Sequence, residues 1–506
     1  MIEVTQDGQG TDNLKVQSSS YRSIFKATSL FGGLQVYLIL ISIIKQKIIA
    51  VLLGPLGVGI MGLYTSATQL IQSTSSCGLS QSAVKDVSES YTSGDNNRIA
   101  IVFTVLRRLV WITGLLGLLL VCIFSKQLSI STFGNNDYIV PFVFLSFTLL
   151  IDQLSSGQKV ILQGTRHLKD LAKSSALGAT FGFLLSIPFF FVWGINGIVP
   201  FIILNSIVSL IFTWLFSRRV ITEKVFVDTK TTLKEGKGML KMGIAMSISG
   251  ILVYLSSYIL RAFIRSEGGL DAVGLYTAGF SLMTTYSGLV FNAMSTDYYP
   301  RLASINTDNV KCKEVMNQQA EVGLLIVAPL MAACIIFIPV VVRILFSSEF
   351  LGASGYIIWC ALGMLFKVAS WSISFIFVAK GESKLFIANE LAFGVYTLVF
   401  NFLGYYWGGL VGLGVSFSIG YFIYTLQVYL ISYKRYRIIF SNSFLSLFII
   451  QFLIVLTCLL VMYSIQSLTI KYALGFILVL LSVVFTLKGL DNRLNIRSII
   501  KNRIFK

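Results

Sequence analysis

The stretch Lys45–Leu70, KQKIIAVLLGPLGVGIMGLYTSATQL, joins two apolar segments through a Gly-Pro pair. Its Gly-Leu-Tyr-Thr sequence at residues 62–65 recurs at residues 274–277 within GGLDAVGLYTAGFSL, 212 positions further along the chain. A Gly-Pro pair between apolar runs is typical of a tight reversal of the chain. Because the second copy has similarly apolar surroundings, the sequence predicts a chain built from two related halves.

The composition indicates a membrane protein. Of the 506 residues, 55% are hydrophobic and only 12% are charged, and the mean hydropathy is +0.80. Soluble globular domains carry about twice that charged fraction. The six cysteines are scattered without a C-x-x-C pair, so we expect neither a metal site nor a disulfide framework. These numbers exclude a soluble globular protein.

Apolar segments long enough to cross a bilayer, which requires about 20 residues each, recur fourteen times. They lie near residues 31–53, 58–80, 104–124, 139–160, 174–193, 196–216, 242–263, 274–296, 320–345, 352–378, 385–406, 409–431, 443–464 and 470–487. Three pairs are almost continuous, separated only by Leu53-Gly54-Pro55, Trp193-Gly194-Ile195-Asn196 and Tyr406-Trp407-Gly408-Gly409. Glycine and proline at these points predict tight reversals at the membrane surface.

The basic residues predict the orientation of the chain. There are 40 lysines and arginines against 22 acidic residues, a net charge of +18. If the N terminus is cytoplasmic, five of these 40 basic residues lie in outside loops or at outer span ends, and three lie within spans. The other 32 then lie in cytoplasmic loops and tails. Basic loops resist translocation across the membrane. We therefore expect both termini in the cytoplasm, and we attribute the positive charge to topology rather than to nucleic-acid binding.

The predicted fold is an all-α polytopic membrane protein with two parallel six-helix repeats around a central cavity and a C-terminal helix pair. The expected parts are a cytoplasmic tail (1–29), an N-terminal half (30–217), a cytoplasmic linker (218–241), a C-terminal half (242–431), an additional helix pair (443–487) and a basic cytoplasmic tail (488–506). Each half has an even number of spans, so the repeats run parallel, as in some transporters.

Polar residues that remain within the spans are the candidates for function, because each is costly in lipid and usually faces a cavity or a partner. Four spans carry polar stripes at helical spacing. From these stripes we take Gln69 and Gln72 in span two, Tyr254 and Arg261 in span seven, and Asn292 in span eight as candidate lining of a shared central cavity. The alternative is ordinary packing of small polar residues between membrane helices.

Three lysines fall within spans. Lys45 and Lys47 lie past the middle of span one, and residues two positions apart point about 200° apart on a helix. At most one of them can therefore face a given cavity, while the other snorkels outward; the alternative is that both are interfacial anchors. Lys367 lies near the centre of span ten and shares a face with Trp371, which predicts a substrate-binding cation beside an aromatic plate. The alternative is charge pairing that only holds helices together.

The acidic residues suggest two further roles. Asp152 in span four and Glu390 in span eleven are candidate proton-binding or sodium-binding carboxylates, since ionisable groups within membrane spans often mark ion pathways. The alternative is charge pairing that only holds helices together. Asp297, Arg301 and Glu321 mark the inner ends of spans eight and nine, and we interpret them as an intracellular gate, with plain solvated helix ends as the alternative.

Five stretches, taken together and in order, resemble the Wzx-type O-antigen translocases and the lipid III flippase of enterobacterial common antigen. These proteins belong to the multidrug/oligosaccharidyl-lipid/polysaccharide (MOP) exporter superfamily. The stretches are KIIAVLLGPLGVGIMGLY (47–64), FGNNDY (133–138), LQGTRHLKDLAKSSALG (162–178), YYPRLASI (298–305) and WCALGMLFKVASWSISFIFVAKGESKLFIANE (359–390). The resemblance covers about residues 25–435, and the chain departs from the usual twelve-span core by its additional helix pair.

The resemblance implies a flippase that moves an undecaprenyl-pyrophosphate-linked oligosaccharide from the cytoplasmic to the periplasmic leaflet of the bacterial inner membrane. It places the family's lysine at Lys367, its basic loop residue at Lys380 and its following glutamate at Glu390. The expected partners are the lipid-linked oligosaccharide, membrane lipids, and the polysaccharide polymerase and chain-length machinery, but no nucleic acid. Because the sequence lacks a G-x-x-x-x-G-K-[ST] nucleotide loop, we expect coupling to H⁺ or Na⁺ and no cofactor.

Two other functions stay open from the sequence. The first is a small-molecule or multidrug cation antiporter of the same architecture, whose cavity should be dominated by carboxylates. The second is a membrane polymerase or transferase of polysaccharide assembly, which should show a large outside loop or clustered catalytic residues. The lysines within the spans favour an anionic substrate and a transporter rather than an enzyme.

Overall fold

The computed structural model describes residues 8–220 and 225–494, and these form thirteen α-helices. In chain order the helices are α1 (Gly8–Ser75), α2 (Leu79–Ser93), α3 (Asn96–Ile123), α4 (Ser125–Phe133), α5 (Ile139–Gly164), α6 (Leu168–Trp193), α7 (Ile198–Ser217), α8 (Thr229–Ala303), α9 (Asn309–Leu345), α10 (Ser354–Ala379), α11 (Ser383–Tyr436), α12 (Asn442–Ser464) and α13 (Leu468–Leu494). The described residues contain no strand, so the predicted all-α fold class is confirmed.

Parts of three predicted segments lie outside the described residues. These parts are residues 1–7 of the predicted N-terminal tail, 221–224 of the predicted linker and 495–506 of the predicted C-terminal tail. The rest of the predicted N-terminal tail, from Gly8 onward, continues into the first apolar segment as one helix, α1.

Nine helical stretches in the described chain are long and apolar enough to cross a membrane, and a tenth is added if the bent pair Thr229–Ile248 and Gly250–Ala303 counts as one span. Three of the nine, Gly32–Ser75, Leu168–Ser217 and Ser383–Tyr436, contain 44, 50 and 54 residues. At a rise of about 1.5 Å per residue, each is more than twice as long as the hydrocarbon core is thick, about 30 Å. The protein is thus a multi-pass membrane protein, and the count of fourteen spans stays a prediction.

Glycines with positive φ interrupt the long helical stretches. The φ angle is 61° at Gly54 in α1, 53° at Gly194 between α6 and α7, 78° at Gly269 in α8 and 53° at Gly409 in α11. Residues with a Cβ atom rarely adopt this backbone conformation, whereas glycine does so readily. The breaks at Gly54, Gly194 and Gly409 lie where the sequence predicts reversals, and Gly269 adds a fourth.

The two arms of α11 show that such a break reverses the chain. The Ser416 hydroxyl on the second arm donates a hydrogen bond to the Phe400 carbonyl oxygen on the first arm at 2.6 Å. Further along the same arms, the side chains of Gln427 and Asn389 are joined by a hydrogen bond of 2.6 Å. The arms therefore run antiparallel and pack along most of their length.

The chain divides into two compact units. The described residues of the N-terminal unit fall within Met1–Leu52 and Ala67–Ile251, and those of the C-terminal unit fall within Leu53–Ser66 and Leu252–Lys506. The borders between the units therefore lie inside α1 and α8. The halves that the sequence repeat predicts, 30–217 and 242–431, stay predictions.

The N-terminal unit has an apolar core where α2, α3 and α5 meet. Leu79, Phe103 and Leu106 are among its members and are at most 1% exposed. In lipid, helices associate through close packing and polar contacts rather than through the hydrophobic effect. Close packing is visible at Gly157, where an added Cβ atom would lie 2.8 Å from the Val110 side chain.

In the C-terminal unit, α10 packs against α9 and α11 and is the best buried of the candidate spans. The additional helix pair, α12 and α13, packs on α9. The Thr486 hydroxyl on α13 donates to the Leu325 carbonyl oxygen on α9 at 3.1 Å and accepts from the Gln451 amide on α12 at 3.1 Å. The pair that lies outside the sequence repeat thus attaches to the C-terminal unit through α9.

Candidate functional site

Lys367 lies in the middle of α10 and is half-buried. Its Nζ atom is 5.4 Å from the ring centroid of Phe291 on α8 and 5.4 Å from that of Tyr421 on α11. Asn292, which follows Phe291, is exposed. Within the described ranges, no carboxylate lies within ion-pair distance of this ammonium group. The ring faces attract the ammonium group but do not neutralise its charge.

Trp371, one turn after the lysine, lies in an aromatic cluster. Its ring centroid is 5.3 Å from that of Phe291, 5.6 Å from that of Tyr298 and 4.8 Å from that of Phe375. Tyr298 is 1% exposed, and its hydroxyl donates to the Ser372 carbonyl oxygen at 2.6 Å. This hydrogen bond fixes the cluster to α10, and substrate binding by Lys367 and Trp371 stays a prediction.

The serines on the face of α10 around Lys367 are used by the helix itself. Ser370 and Ser374 are both buried. Their hydroxyls donate to the carbonyl oxygens of Lys367 and Trp371 of the same helix, each at 3.1 Å. Carbonyl oxygens of α10 therefore satisfy both serine hydroxyls. On this face, the side chain available to a ligand is that of Lys367.

Glu390 lies on the first arm of α11 and is half-buried. The hydroxyl of Tyr424, on the second arm, donates to its Oε1 atom at 2.6 Å. The Phe393 ring lies between two tyrosines, with centroid distances of 5.0 Å to Tyr421 and 4.6 Å to Tyr424. Since Tyr421 is also the ring beside Lys367, the cation and the carboxylate flank one aromatic group within the C-terminal unit.

Three buried polar atoms of the first arm of α11 lack a hydrogen-bond partner among the described residues. They are the hydroxyl oxygens of Tyr396 and Thr397 and the amide nitrogen of Asn389. The amide oxygen of Asn389 does have a partner, because it accepts from Gln427 at 2.6 Å. Buried polar atoms are almost always satisfied in native proteins. The arm that carries Glu390 therefore has buried hydrogen-bonding groups that the described residues do not use.

In the N-terminal unit, the predicted cavity residue Gln72 takes part in a buried chain of hydrogen bonds. Its amide donates to Gln153 on α5 at 3.2 Å, and the Gln153 amide donates to the Thr113 hydroxyl on α3 at 2.9 Å. This chain joins three helices and corresponds to the helix-packing alternative. Gln69, on the same helix as Gln72, is exposed.

The two lysines of α1 lie in the N-terminal unit, and both are half-buried. The Nζ atom of Lys45 lies 4.9 Å from the ring centroid of Phe201 on α7. Lys47, two positions along the helix, points to a different side. Lys45 is thus held against α7, and the choice between cavity cation and interfacial anchor stays a prediction for both lysines.

Asp152 marks a polar seam between α5 and α7. Its carboxylate has the Ser206 hydroxyl as a hydrogen-bond partner, and its side chain is otherwise exposed. One turn later, Ser155 shares a hydrogen bond of 3.1 Å with Thr213 on α7. The seam holds two helices together, while Asp152 remains accessible.

Arg261 and Tyr254, the predicted lining residues of α8, have different environments. Arg261 is 8% exposed, and its Nη1 atom donates to both the carbonyl and the hydroxyl oxygen of Ser257. Its guanidinium carbon lies 5.4 Å from the ring centroids of Tyr276 and Phe280, across the break in α8. Tyr254 is 37% exposed. Arg261 is therefore packed into the hairpin of α8, whereas Tyr254 is accessible.

The predicted gate residues lie at the end of α8 and in α9. Asp297 is exposed. Arg301 donates to the Gln318 side-chain oxygen at 2.5 Å. Glu321 forms an ion pair of 2.6 Å with Arg493 on α13. The gate role stays a prediction, and the Glu321 carboxylate has a structural partner that ties the additional helix pair to α9.

Lys380, the basic loop residue implied by the resemblance, fixes the loop that precedes α9. Its ammonium group donates to the Asn309 side-chain oxygen at 2.7 Å and to the Asn306 carbonyl oxygen, and it lies 5.0 Å from the Tyr436 ring centroid. In the same loop, Asp308 caps α9 by accepting from two backbone N–H groups, which hold the pKa of this carboxyl below its ordinary value. The contacts of Lys380 are therefore structural.

Sequence analysis missed Tyr421 and Tyr424, the tyrosines between Lys367 and Glu390. Their spacing of three positions puts them on one face of the second arm of α11, and this was the available signal. Nothing in the sequence indicates that this face meets Glu390, which lies 34 positions before Tyr424. Gln153 was missed for the same reason, because its partners lie on two other helices.

The chain matches one protein family. The family described as polysaccharide biosynthesis protein matches residues 48–355. No curated protein matches the chain significantly.

Several solved structures share the fold. The inward-facing conformation of a multidrug resistance MATE family transporter of the MOP superfamily aligns with a TM-score of 0.68 at 16% identity, covering 80% of this chain and 94% of that chain. The inward closed conformation of the lipid II flippase MurJ gives 0.61 at 14% identity, with 92% and 99% covered. A MOP superfamily transporter from Pyrococcus furiosus gives 0.57 at 14% identity, with 81% and 96% covered. At these identities the similarity establishes the fold.

Proposed function

The chain belongs to the family of polysaccharide biosynthesis proteins, and from this we propose that it is a flippase for a lipid-linked saccharide. Its substrate is an undecaprenyl-pyrophosphate-linked oligosaccharide, the repeat unit of O-antigen or of a related surface polysaccharide. It moves this unit from the cytoplasmic to the periplasmic leaflet of the bacterial inner membrane, with both of its own termini in the cytoplasm. No covalent bond changes in this process.

The physical task is to carry a charged and hydrophilic headgroup through hydrocarbon. A phosphate group or a sugar hydroxyl that leaves water without new partners costs several kcal/mol or more. A protein lowers this cost by supplying a cation for the phosphates and hydrogen-bonding groups and ring faces for the sugar. The polyprenyl tail is apolar and stays in the bilayer.

One observation carries the proposal. Lys367 is a half-buried cation near the centre of α10 that, within the described ranges, has aromatic rings but no carboxylate beside it. A cation in this setting is costly unless an anion joins it. We propose that the pyrophosphate of the substrate is this anion.

The aromatic side chains around Lys367 suit a sugar. Phe291 and Tyr421 present ring faces near the ammonium group, and the Trp371 ring packs against Phe291. A ring face combines an apolar body with, in Trp and Tyr, a polar edge. In the proposal these rings contact the sugar next to the pyrophosphate. Tyr254 and Asn292, which are accessible residues of the same unit, are proposed to contact more distant parts of the glycan.

Resetting of the transporter requires an energy source. We propose alternating access, in which the binding site opens to one membrane face at a time and an ion or proton gradient drives the return. Glu390 is the first candidate for the coupling group, because its hydrogen bond comes from a neutral tyrosine and no cation of the described chain pairs with it. Asp152 is the second.

The test is reconstitution of the purified protein into liposomes. Transfer of a fluorescent undecaprenyl-pyrophosphate oligosaccharide between leaflets is measured with and without a pH or sodium gradient. We expect transfer that requires the glycan and responds to one gradient. Protein-free liposomes and undecaprenyl phosphate without a sugar are the controls. Equal transfer of the sugar-free lipid would contradict a saccharide flippase.

A second candidate is an antiporter for small organic cations, and the carboxylate of Glu390 among aromatic rings favours it. Carboxylates and ring faces together bind organic cations. In the same liposomes, gradient-driven uptake of a fluorescent organic cation without transfer of the lipid-linked glycan would support the antiporter and reject the flippase.

A further inference from the structure

A groove lies on the N-terminal unit, apart from the site around Lys367. It consists of two cavities of about 790 Å³ and 860 Å³ that are both lined by Arg107 and Trp111 of α3. The first lies between α3, α5 and α7, and the second lies between α3 and residues 225–232. Each volume falls within the range of about 300–1,000 Å³ that is typical of ligand pockets. The sequence stripes do not include these residues, and the proposed transport cycle does not use them.

The first cavity is apolar along most of its length and basic at one end. Its apolar wall consists of Leu106, Val110, Leu154, Leu210 and Ile211. At the other end of the wall are two arginines, Arg107 and Arg218, with the indole rings of Trp111 and Trp214. This arrangement has the polarity of a phospholipid, an acyl chain with a charged headgroup at one end.

The two arginines differ from their neighbours in their partners. Arg98 pairs with Glu235 at 2.7 Å, Arg219 pairs with Asp170 at 3.3 Å, and Arg108 donates to the Thr232 hydroxyl at 2.7 Å. Arg107 and Arg218 are exposed, and no carboxylate of the described residues pairs with either of them. The guanidinium of Arg218 instead lies 4.5 Å from the ring centroid of Trp214. The one carboxylate among the described lining residues, Asp228, accepts a hydrogen bond from the Thr231 backbone N–H at 3.0 Å. The arginines outnumber it, so the net charge of the described lining is positive.

The indole rings place the basic end at the membrane interface. Trp111 is 49% exposed and Trp214 is 44% exposed. Tryptophan is enriched at headgroup depth, where its ring contacts both hydrocarbon and polar groups. Planar guanidinium groups at this depth bind phosphate oxygens with two parallel hydrogen bonds. Two arginines that have no carboxylate partner among the described residues, beside two tryptophans, thus match a phosphate at headgroup level.

We propose that this groove binds one anionic phospholipid. An acyl chain lies along the apolar wall between α3, α5 and α7, and the lipid phosphate contacts Arg107 and Arg218. The basic end lies at the C terminus of α7 and towards the N terminus of α8, which the charge bias of the sequence assigns to the cytoplasm. The lipid therefore comes from the cytoplasmic leaflet and fills the space between α3 and α7, which both pack on α5.

The test uses the full-length protein in a mild detergent and native mass spectrometry. Phosphatidylglycerol is titrated, and phosphatidylcholine with the same acyl chains is the neutral probe. We expect one phosphatidylglycerol to bind at least tenfold more tightly than phosphatidylcholine, and Arg107→Ala combined with Arg218→Ala to remove this preference. Lys169→Ala combined with Lys173→Ala is the matched control, because it removes two exposed positive charges from α6 of the same unit.

A second variant distinguishes binding of a whole phospholipid from binding of phosphate alone. Ile211→Trp fills the apolar wall and keeps both arginines, so we expect it to weaken phosphatidylglycerol binding as well. Competition by inorganic phosphate alone, or full lipid binding by Ile211→Trp, would overturn the lipid proposal in favour of a simple anion site. Unchanged lipid binding by the double arginine variant would overturn it entirely. Arg107→Gln with Arg218→Gln replaces the alanine variant if melting temperatures show that the latter is unfolded.

Discussion

The two units use the polar residues within their helices differently. In the N-terminal unit, Gln72, Gln153 and Thr113 form a continuous chain of hydrogen bonds across three helices. In the C-terminal unit, Lys367 and Glu390 flank a group of aromatic rings, and within the described ranges neither has a side-chain partner of opposite charge.

This difference shows that similar sequence patterns need not have similar roles. Polar groups that satisfy one another hold helices together and have little capacity left for a ligand. Burying a charged group without a protein partner of opposite charge costs free energy. We expect such a group where a ligand supplies the opposite charge. We therefore expect substrate chemistry mainly in the C-terminal unit and helix packing mainly in the N-terminal unit.

The largest effect should come from the cation. Lys367→Ala removes the proposed partner of the pyrophosphate, and a charge-assisted contact of this kind is worth about 1.5–3 kcal/mol. We expect the rate of glycan-lipid transfer in liposomes to fall between about tenfold and a hundredfold. Lys45→Ala, in the N-terminal unit, should have a smaller effect. Lys384→Ala, at an exposed lysine of α11, is the control and should leave transfer unchanged.

An equal loss from Lys45→Ala would break the comparison, since it would place a substrate cation in each unit. Normal transfer by Lys367→Ala would remove the lysine from the mechanism. Lys367→Arg keeps the charge and should recover part of the activity.

The carboxylates give the next effect. Glu390→Gln keeps the hydrogen bond with Tyr424 but cannot bind or release a proton. We expect transfer by this variant to lose its response to the pH gradient, measured as the ratio of rates with and without the gradient. Asp152→Asn should keep that response. A gradient response that persists in Glu390→Gln and disappears in Asp152→Asn would move coupling to the N-terminal unit.

For the free energy of unfolding, in contrast to transport, the larger effect should come from a substitution in the N-terminal unit. Gln153→Leu leaves Gln72 and Thr113 without their partner, so we expect a loss of about 1–2 kcal/mol in the free energy of unfolding. Tyr396→Phe removes a hydroxyl that has no partner among the described residues, so it should leave stability nearly unchanged. Thermal unfolding in detergent measures both. A Tyr396→Phe variant less stable than Gln153→Leu would contradict this assignment.

The smallest effect should come from the ion pair between Glu321 and Arg493. Both side chains are partly accessible, and such pairs contribute about 1 kcal/mol at most. If Glu321 only anchors the additional helix pair, Glu321→Ala and Arg493→Ala should lower the melting temperature by similar amounts and leave transfer intact. Loss of transfer in Glu321→Ala alone would support the gate role instead.

The candidate site was only partly predictable. Lys367, Trp371 and Glu390 could be found because a charged or aromatic residue stands out within an apolar span. Tyr421 and Tyr424 could not be assigned, because tyrosine is common in membrane helices and its role depends on the ring or carboxylate that it meets. The sequence also does not show that the hydroxyls of Ser370 and Ser374, beside Lys367 on α10, bond to their own helix.

The sequence by itself determined that this is an all-helical membrane protein and where three of the four glycine breaks lie, and Gly269 is the break that it did not indicate. Hydropathy sums the contributions of neighbouring residues, so the sequence alone shows which segments favour lipid over water. The glycines Gly54, Gly194 and Gly409 likewise indicate where the backbone adopts a positive φ. Only the tertiary structure decided which polar groups are satisfied. The partners of Gln72 and Glu390 lie 81 and 34 positions away, and their meeting depends on how each helix is rotated against its neighbours, which is set by packing.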